Sequence, residues 1–511
     1  MKRKILSIFM ASVITASIML TGCSQTEKAT GGQADVQSGE QDAEQAEDVT
    51  KLVVSYRTFG TTPSEADVDR IENELNKITR EKINAEVELM ILSSGSYINQ
   101  MNLMLSGDEP LDVMGAPRAL VPSGYAGEEI IPLQELVDEY GQGIKDVLGE
   151  DLLRCGEFNA ELYSIPIKCD SACGYGAFVM RKDICEKYNI DAESIDSYEK
   201  LTEAFQIVHD NEPDMIILST GSTGTSFLQF NLLWDPLGDS YGVLDNHGET
   251  LEVVNLFETD AYREYLDVVR DWYERGFISQ DVTNATEAGS ALMKAGNLFA
   301  YSTAAKPGSV QQEQMGCGME LELCQVLPTF TVTGNIWQWT IPANSKTPEK
   351  AMEFINLMYT NADVINLMAF GIEGEDYVIV EDGTANYPEG VDATTCGFNM
   401  GGMLWSLGNE FIGHVWNGND PNLWKQTEEW NKTGLFSKAY GFVFYSSTVA
   451  NEETAVKNVY DQYRMSLECG VVDPESTLKK MNEELYAAGL QKIMDEKQSQ
   501  LDKWAQVHGI Q

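Results

Sequence analysis

Histidines are the side chains of this sequence best suited to catalysis or metal binding, and their spacing does not favour either. His209, His247, His414 and His508 lie far apart along the chain. The sequence has no Walker loop, HExxH motif or dinucleotide fingerprint, and residues 221–224 (GSTG) lack the spacing of a nucleophile elbow. We therefore predict no metal site, no cofactor and no enzymatic activity. His508, close to the carboxyl end, is expected to be exposed to solvent.

Carboxylates leave one catalytic alternative open. The chain has 80 Asp and Glu residues, and two carboxyl groups on either side of a glycosidic bond are sufficient for glycoside hydrolysis. Pairs of acids are not specific in a chain this acidic, because many arise without function. A glycan-processing enzyme that uses a carboxylate pair is kept as an alternative.

Aromatic and polar residues occur together in a pattern that suits a sugar. Sugars present apolar C–H faces and a ring of hydroxyl groups, so their sites combine aromatic rings with polar donors and acceptors. Trp337 and Trp339 alternate on a strand-like run and share one face. Arg57 and Phe59 come at the carboxyl end of the first predicted strand, where open α/β sheets bind ligands. We predict these four as ligand contacts, with core packing as the alternative for the tryptophans and a surface ion pair for Arg57.

Length and charge set the class of protein. The chain has 511 residues, of which 43% are hydrophobic, enough for one large core or two. Its 35 Lys and Arg against 80 Asp and Glu give a net charge of -45, which repels nucleic acid and anionic lipid surfaces. We expect a folded protein that binds no nucleic acid.

The first 50 residues predict export. A basic start and a short apolar run through Leu20 form a secretory signal over residues 1–22, and residues 20–23 (LTGC) resemble the bacterial lipobox, in which the cysteine is acylated. Residues 24–50 lack aromatic side chains and are rich in Gln, Glu, Asp, Ala, Gly and Ser. We therefore expect Cys23 to be lipidated, for example with palmitate, and residues 23–50 to tether an extracytoplasmic body to the cell membrane. An ordinary signal peptide with an incidental cysteine is the alternative.

The other eight cysteines do not form a disulfide scaffold pattern or a zinc-ligand pattern. An exported chain could pair some of them, or all could remain buried thiols. The sequence leaves both outcomes open.

Strands and helices alternate from the start of the folded part. Residues 51–57, 86–91 and 111–114 are short β-branched or apolar runs typical of strands. Between them, Ser64 is placed to cap a helix through residue 78, and a second helix is predicted at about 97–105. This βαβαβ order predicts an α/β protein with a parallel sheet covered on both faces. Further helices are predicted at 259–274, after Thr347, and over 474–506.

Several stretches resemble extracellular solute-binding lipoproteins of the maltose-binding type, in the order in which that family has them. Residues 160–166 (AELYSIP) and 176–183 (GAFVMRKD) are similar to the family's first crossing between lobes, and residues 288–296 (AGSALMKAG) to the element before the return crossing. Residues 326–328 (VLP) and 341–351 (IPANSKTPEKA) resemble later strands and a helix cap. Residues 371–377 (GIEGEDY) and stretches between Tyr440 and Pro474 resemble large carbohydrate-uptake lipoproteins of Gram-positive bacteria.

The resemblance implies a two-lobed, type II binding-protein fold with hinge crossings and an α-rich carboxyl-terminal module. The first lobe is expected at 51–163 plus 305–370, and the second at 164–304 plus 371–511 including that module. The lobes are expected to close on a ligand by a hinge motion. Further candidate ligand contacts are Asp112, Tyr163, Trp234, Trp405, Asn409 and Trp416. Core packing is the alternative for the tryptophans, and capping of a turn is the alternative for Asp112.

The function that the resemblance implies is the substrate-binding component of an ABC importer. The protein would capture a carbohydrate, in our prediction an oligosaccharide, and deliver it to permease subunits in the membrane. We expect a monomer. A lipoprotein that senses a ligand for a membrane kinase would use the same cleft and stays a second alternative.

Overall fold

The structure, a computed structural model, describes residues 49–107, 109–230, 232–331 and 337–510. It is an α/β protein with seventeen strands among the described residues. In chain order they are β1 Thr50–Thr58, β2 Ala85–Ser93, β3 Val113–Pro117, β4 Glu157–Phe158, β5 Glu161–Leu162, β6 Ile165–Pro166, β7 Cys173–Arg181, β8 Ile216–Ser219, β9 Val243–Leu244, β10 Val253–Val254, β11 Leu298–Ala305, β12 Leu321–Gln325, β13 Thr329–Thr331, β14 Trp337–Thr340, β15 Val378–Ile379, β16 Ala385–Asn386 and β17 Leu435–Phe436.

Sixteen α-helices are described in the same part of the chain. They are α1 Glu65–Ile83, α2 Ser94–Leu105, α3 Val121–Ala126, α4 Gln134–Tyr140, α5 Gln142–Leu153, α6 Lys182–Tyr188, α7 Tyr198–Asn211, α8 Asp260–Glu274, α9 Gly289–Lys294, α10 Ser309–Cys317, α11 Pro348–Thr360, α12 Ala362–Phe370, α13 Leu423–Asn431, α14 Ala450–Glu468, α15 Pro474–Ala488 and α16 Leu490–His508.

The first sheet has the strand order β2-β1-β3-β14-β6. β1 runs parallel to β2 and β3, and β14 runs antiparallel to both β3 and β6. β6 is therefore parallel to β1 and β3, so all three end at the same edge of the sheet. At this edge the chain leaves the first sheet, after β6, and continues to β7 of the second sheet.

The second sheet has the strand order β17-β13-β7-β11-β8, and β12 also pairs with β7. β8 and β11 are parallel, whereas β7 is antiparallel to β11 and begins where β11 ends. The segment between β6 and β7, residues 167–172, connects the two sheets and is called the first crossing. It joins the carboxyl edge of the first sheet to the edge of the second sheet at which β8 and β11 end.

Each sheet lies in its own apolar core, which confirms the predicted two-lobed α/β fold. The first core contains Leu52, Val113, Trp339 and Phe354, all fully buried, and we call its elements the first lobe. The second core combines second-sheet residues such as Phe178 with residues of α8 and of the tail helices. These elements form the second lobe.

The local predictions agree closely with the structure. α1 begins after Ser64, whose hydroxyl accepts a hydrogen bond from the Asp67 amide at 3.2 Å. Thr259 caps α8 in the same way. The helices predicted over 474–506 are α15 and α16, which are separated at Gly489, a residue in a left-handed conformation with φ +112°.

The lobe boundaries in the structure differ from the predicted ranges in two places. β12 and β13 lie within 305–370 but pair antiparallel with β7, so they belong to the second sheet. Residues after 370, including Tyr377, Phe398 and Leu404, pack into the first core. The physical reason is that strand pairing with β7 and burial against α12 are long-range contacts without a local sequence pattern.

The predicted signal peptide, Cys23 and most of the tether lie outside the described residues. β1 already begins at Thr50, the last residue assigned to the tether. The eight cysteines from Cys155 to Cys469 are free thiols. Among the described residues, no helix combines the length and the apolar character that a membrane span requires.

Candidate functional site

A stack of one cation and three aromatic rings lies at the carboxyl edge of the first sheet. The Arg57 guanidinium lies 4.0 Å from the centre of the Trp337 ring and 4.5 Å from that of Phe59. Phe59 in turn stacks on Trp405, with ring centres 6.4 Å apart and planes 21° apart. Phe59 is 62% exposed, so the stack presents an apolar ring to solvent.

Close packing of Trp337 against the first sheet fixes the position of the stack. Trp337 is fully buried, and its ring lies 5.5 Å from that of Tyr97. Gly115 of β3 faces it, and a Cβ atom at Gly115 would lie 2.7 Å from the Trp337 ring. Glycine is therefore required for Trp337 to lie against the sheet and carry Arg57.

Arg57 is held by rings and not by acids. Despite the acidity of the chain, no carboxylate forms an ion pair with it among the described residues, and its Nε atom is buried without a hydrogen-bond partner there. Partial burial lowers the pKa of the guanidinium. Its remaining N–H groups are consequently available to hydroxyl or carboxylate oxygens of a solute.

A second cluster joins Asp170, Lys306 and Glu410 beside the first crossing. Lys306, the residue after β11, forms an ion pair with Asp170 of the crossing. The Asp170 amide donates a hydrogen bond to Glu410 Oε2 at 3.0 Å. Burial lowers the pKa of Lys306, but the charge and hydrogen bond of Asp170, together with the charge of Glu410, raise it, and the net shift is upward, so the ammonium stays charged. The cluster combines groups from both lobes and from the connection between them.

Glu410 is the carboxyl group with the most unusual proton affinity in this cluster. It is buried, and burial, assisted by repulsion from Asp170, raises its pKa to about 8. The hydrogen bond from the Asp170 amide and the charge of Lys306 oppose that rise. Glu410 is therefore largely protonated at neutral pH.

The Glu410→Gln variant should have a flatter pH dependence of stability than the wild type. Unfolded Glu410 titrates near its ordinary pKa of 4.5 and folded Glu410 near 8, so between these values the folded state binds more protons. The free energy of unfolding therefore falls as the pH rises through this window, by up to about 1.4 kcal/mol per pH unit. Glutamine does not titrate, so that contribution disappears.

Urea unfolding at several pH values between about 5 and 8 measures this slope. Replacing Glu428, an exposed acid of α13, by glutamine is the matched control and should leave the slope as in the wild type. An equal pH dependence of the unfolding free energy in the wild type and in Glu410→Gln would contradict the raised pKa of Glu410.

One short segment carries both parts of the site. Trp405 lies in the 3-10 turn Gly401–Ser406, and Glu410 begins the turn Glu410–Ile412. Between them the backbone pairs with the first crossing: the Lys168 amide donates to Gly408 O at 2.6 Å, and the Glu410 amide donates to Lys168 O at 2.8 Å. The aromatic stack and the charged cluster are thereby held along the same edge of the first sheet.

Asn431, at the end of α13, holds the first crossing from the other side. Its Oδ1 accepts hydrogen bonds from the Ser171 and Ala172 amides at 3.0 and 3.1 Å. Its Nδ2 donates to Cys169 O at 2.9 Å. One side chain thus satisfies three backbone groups of the segment that connects the two sheets.

A metal ion is a poor fit for the charged cluster. Cys169, Asp170 and Glu410 place their ligand atoms within 4.8 Å of one another, the one such group in the described ranges. Burial raises the pKa of the Cys169 thiol far above its ordinary value, which disfavours the thiolate that a metal needs. Lys306 already compensates the charge of Asp170, so the group acts as an ion pair and not as a cation site.

Of the ten predicted contacts, the structure brings Arg57, Phe59, Trp337 and Trp405 together in the stack. Trp416 lies elsewhere, half-buried and parallel to Phe370 with ring centres 5.9 Å apart.

Three predicted tryptophans are core residues, because Trp337, which lies under the stack, is as fully buried as Trp339. Trp339 is fully buried in the first core, and Trp234 is 1% exposed and packs edge-on against Tyr262 at 6.1 Å. Neither leaves a ring face for a solute in this structure. The prediction of a strand at Trp339 is confirmed. The burial of these rings comes from elements distant in the sequence, so nearby residues do not indicate it.

Three predicted polar contacts are satisfied by the protein itself. The Asp112 carboxylate accepts hydrogen bonds from the Val53 amide and the Ser345 hydroxyl at 2.9 and 2.6 Å. Asn409 accepts from the Phe411 amide at 3.1 Å and donates to a backbone carbonyl at 3.3 Å. The Tyr163 hydroxyl donates to Glu161 at 2.7 Å. These bonds give the three side chains roles in turn capping and packing, which for Asp112 was the predicted alternative to ligand contact.

Four residues of the site, Asp170, Lys306, Glu410 and Asn431, were not predicted from the sequence. Asp170 could have been found, because it follows the Tyr-x-x-Pro stretch at the predicted crossing. Lys306 directly follows the end of β11, a position comparable to that of Arg57 near the end of β1. Glu410 and Asn431 carry no local signal, because their partners lie more than 200 residues away in the sequence.

Comparison with protein families gives two matches. The model of the bacterial extracellular solute-binding proteins matches residues 64–365, more than half of the chain. A second model, a domain of unknown function (DUF3502), matches residues 438–506 in the tail.

Individual relatives agree with the first match. A carbohydrate ABC transporter substrate-binding protein of Streptococcus pneumoniae serotype 4 is 26% identical over 468 residues, covering 89% of this chain and 91% of the relative. The N-glycan transport solute-binding protein NgtS of Streptococcus pneumoniae has a similar structure, with a TM-score of 0.74, 22% identity and coverage of 89% of this chain and 99% of that one. The Streptococcus pneumoniae protein FusA, solved with kestose, has a TM-score of 0.58 at 15% identity, with 89% and 99% covered.

Proposed function

Because the chain belongs to the bacterial extracellular solute-binding protein family, we propose that it captures a carbohydrate and delivers it to the permease subunits of an ABC importer. The single observation that carries the proposal is the Phe59 side chain, 62% exposed and held by Arg57 and Trp405 at the carboxyl edge of the first sheet. An aromatic face next to unpaired N–H donors matches the apolar face and hydroxyl ring of a sugar. The names of the relatives, which concern carbohydrate and N-glycan transport, support the same choice.

The proposed mechanism is capture without chemical conversion. A sugar ring stacks on Phe59, and hinge closure about the first crossing brings second-lobe groups near Lys306 over it. The charged cluster contributes donors and acceptors that are already ordered by one another, which lowers the cost of fixing them on binding. The protein acts as a monomer in this proposal, with the first lobe and second lobe as the two jaws.

Anchoring to the membrane is part of the proposal. The lipobox-like residues 20–23 and the polar stretch after them support acylation of Cys23. One acyl chain binds membranes marginally, whereas two or three hold a protein stably. Membrane fractionation of cells that express the Cys23→Ser chain tests this: release of the variant, with the wild type retained, is the expected result.

Thermal-shift screening of the mature chain tests the function. The panel contains mannose- and GlcNAc-containing N-glycan fragments, fructo-oligosaccharides, glucans and, as a different solute class, short peptides. We expect one carbohydrate class to raise the melting temperature, because a ligand at a hundredfold excess over its Kd stabilises by about 2.7 kcal/mol.

Two results would contradict the proposal. A shift with peptides and with no carbohydrate would remove the assignment of the solute. Shortened glycan products after incubation would instead indicate the carboxylate-pair enzyme.

A further inference from the structure

The tail, residues 438–508, is hydrogen-bonded to the second lobe by buried groups. The Glu468 carboxylate is 1% exposed and accepts hydrogen bonds from three hydroxyl groups, those of Ser226, Tyr262 and Tyr460. Lys497, fully buried, contacts the Asp239 carboxylate at 2.8 Å. These bonds tie α14 to α8 and to the loop at Ser226, and α16 to the loop at Asp239.

Apolar packing completes this attachment. Leu467 of α14, Met481 and Leu485 of α15, and Leu490 and Ile493 of α16 belong to the second core. Each is at most 1% exposed. The tail therefore moves with the second lobe as one body, because separating it would expose a large apolar surface.

The tail contacts the first lobe at far fewer points. Two of these contacts are made by the β4–β5 hairpin of the first lobe, residues 157–162. His508 Nε2 lies 2.9 Å from Glu157 Oε2, and the Tyr445 ring meets Phe158 edge-on at 6.0 Å. The expectation that His508 is exposed is therefore wrong: its side chain is 10% exposed, because the hairpin covers it.

A third contact lies at the base of the hairpin. Arg118, the residue after β3, is 7% exposed and donates through Nη2 to Gly441 O and through Nε to Cys155 O at 3.0 Å. It joins the end of a first-sheet strand to the start of the tail. Arg118 thus anchors the tail close to the edge at which the stack lies.

The contacting groups of the tail are themselves rigidly mounted. Gln500 of α16 binds the backbone amide and carbonyl of Tyr445 at 3.0 and 2.8 Å. His508 Nδ1 lies 2.8 Å from Trp504 O, one turn earlier in the same helix. A cavity of about 260 Å³ lies between the hairpin and α16, so the two surfaces are in contact over only part of their area.

From this asymmetry we propose that the tail is a brace: it is built into the second lobe and sets the hinge angle by contacting the β4–β5 hairpin of the first lobe. Any rotation about the first crossing moves the tail with the second lobe and breaks the His508–Glu157 and Tyr445–Phe158 contacts. The brace therefore favours the lobe arrangement of this structure over others. It gives a role to the part of the chain that matches a domain of unknown function.

The inference rests on the proposed hinge motion but not on the nature of the solute. It is consequently tested without carbohydrate, by measuring the distance between lobes in the mature chain. Spin labels on non-canonical amino acids replace the exposed Lys77 of α1 and Lys200 of α7, so that the native cysteines stay untouched. Pulsed electron–electron double resonance then gives the distribution of distances between the two spin labels.

The wild type should show one narrow distance distribution. The triple variant Glu157→Ala, Tyr445→Ala, His508→Ala should show a broadened distribution or a second population at a different distance. Replacing Gln506, an exposed residue of α16 without a hairpin contact, by alanine is the matched control and should leave the distribution as in the wild type.

A wild-type distribution in the folded triple variant overturns the brace. If that variant does not fold, as judged by circular dichroism and its melting transition, His508→Ala alone carries the test, with a smaller broadening expected and an unchanged distribution contradicting the proposal. A failure of the glycan screen would leave these measurements intact, so the two proposals fail separately.

Discussion

Replacing Asn431 by alanine should lower the free energy of unfolding by about 2–4 kcal/mol, the cost of leaving several buried backbone groups without partners. The side chain bonds the amides of Ser171 and Ala172 and the carbonyl of Cys169. Cys169 and Ala172 are buried, so water does not replace the lost bonds without rearrangement of the crossing. Chemical unfolding of the wild type and the variant measures the difference.

Two further variants show whether the loss comes from these bonds. Asn431→Asp keeps an oxygen that accepts from both amides and lacks only the donor to Cys169 O, so a smaller loss is expected. Asn422→Ala removes an exposed amide at the other end of α13 and should change stability by less than about 0.5 kcal/mol. A loss of that small size for Asn431→Ala would show that the crossing does not depend on this side chain.

Replacing Trp405 by alanine should weaken carbohydrate binding at least tenfold, equivalent to about 1.4 kcal/mol or more. The Trp405 ring stacks on Phe59, and the Arg57 guanidinium also contacts the Phe59 ring, at 4.5 Å from its centre. Removing the Trp405 ring takes away one aromatic surface of the stack and leaves Phe59 free to change rotamer. Both the area in contact with the sugar and the order of Phe59 are therefore lost. Titration calorimetry with the glycan found in the screen gives the affinity.

Variants of the same stack test whether its members act together. Phe59→Ala should weaken binding by a similar factor, and the double variant should lose less than the sum of the two, because each ring orders the other. Trp405→Phe should restore part of the affinity. Phe436→Ala, which removes an exposed ring on β17 away from the stack, is the control and should bind like the wild type. Wild-type affinity in Trp405→Ala would place the carbohydrate elsewhere.

The elements of the first sheet show how far local reasoning reaches. The β1–α1–β2–α2–β3 order follows from apolar periodicity and from the cap at Ser64, because both depend on residues a few positions apart. The lobe boundaries do not. β12 joins the second sheet through pairing with β7, about 140 residues earlier in the chain, and no short pattern encodes that choice.

The site divides in the same way. Position at a strand end identified Arg57 and Phe59, since parallel strands place their carboxyl ends at one edge. Alternation along a strand selected Trp339, and the family resemblance selected Asp112, but the surrounding elements buried the first and hydrogen-bonded the second. Residue type and position indicate what a side chain can do, whereas exposure after packing decides whether a solute reaches it.

The sequence by itself therefore determined the α/β class, most local elements, the expectation of an exported carrier and the chemistry available at the end of β1. Only the tertiary structure decided that Asp170, Lys306 and Glu410 meet, that Asn431 holds the crossing, and that the tail reaches the β4–β5 hairpin. The reason is physical: helix and strand formation depend on near neighbours, but proton affinity, ion pairing and lobe contact depend on groups hundreds of residues apart. Those distances are fixed only when the chain packs.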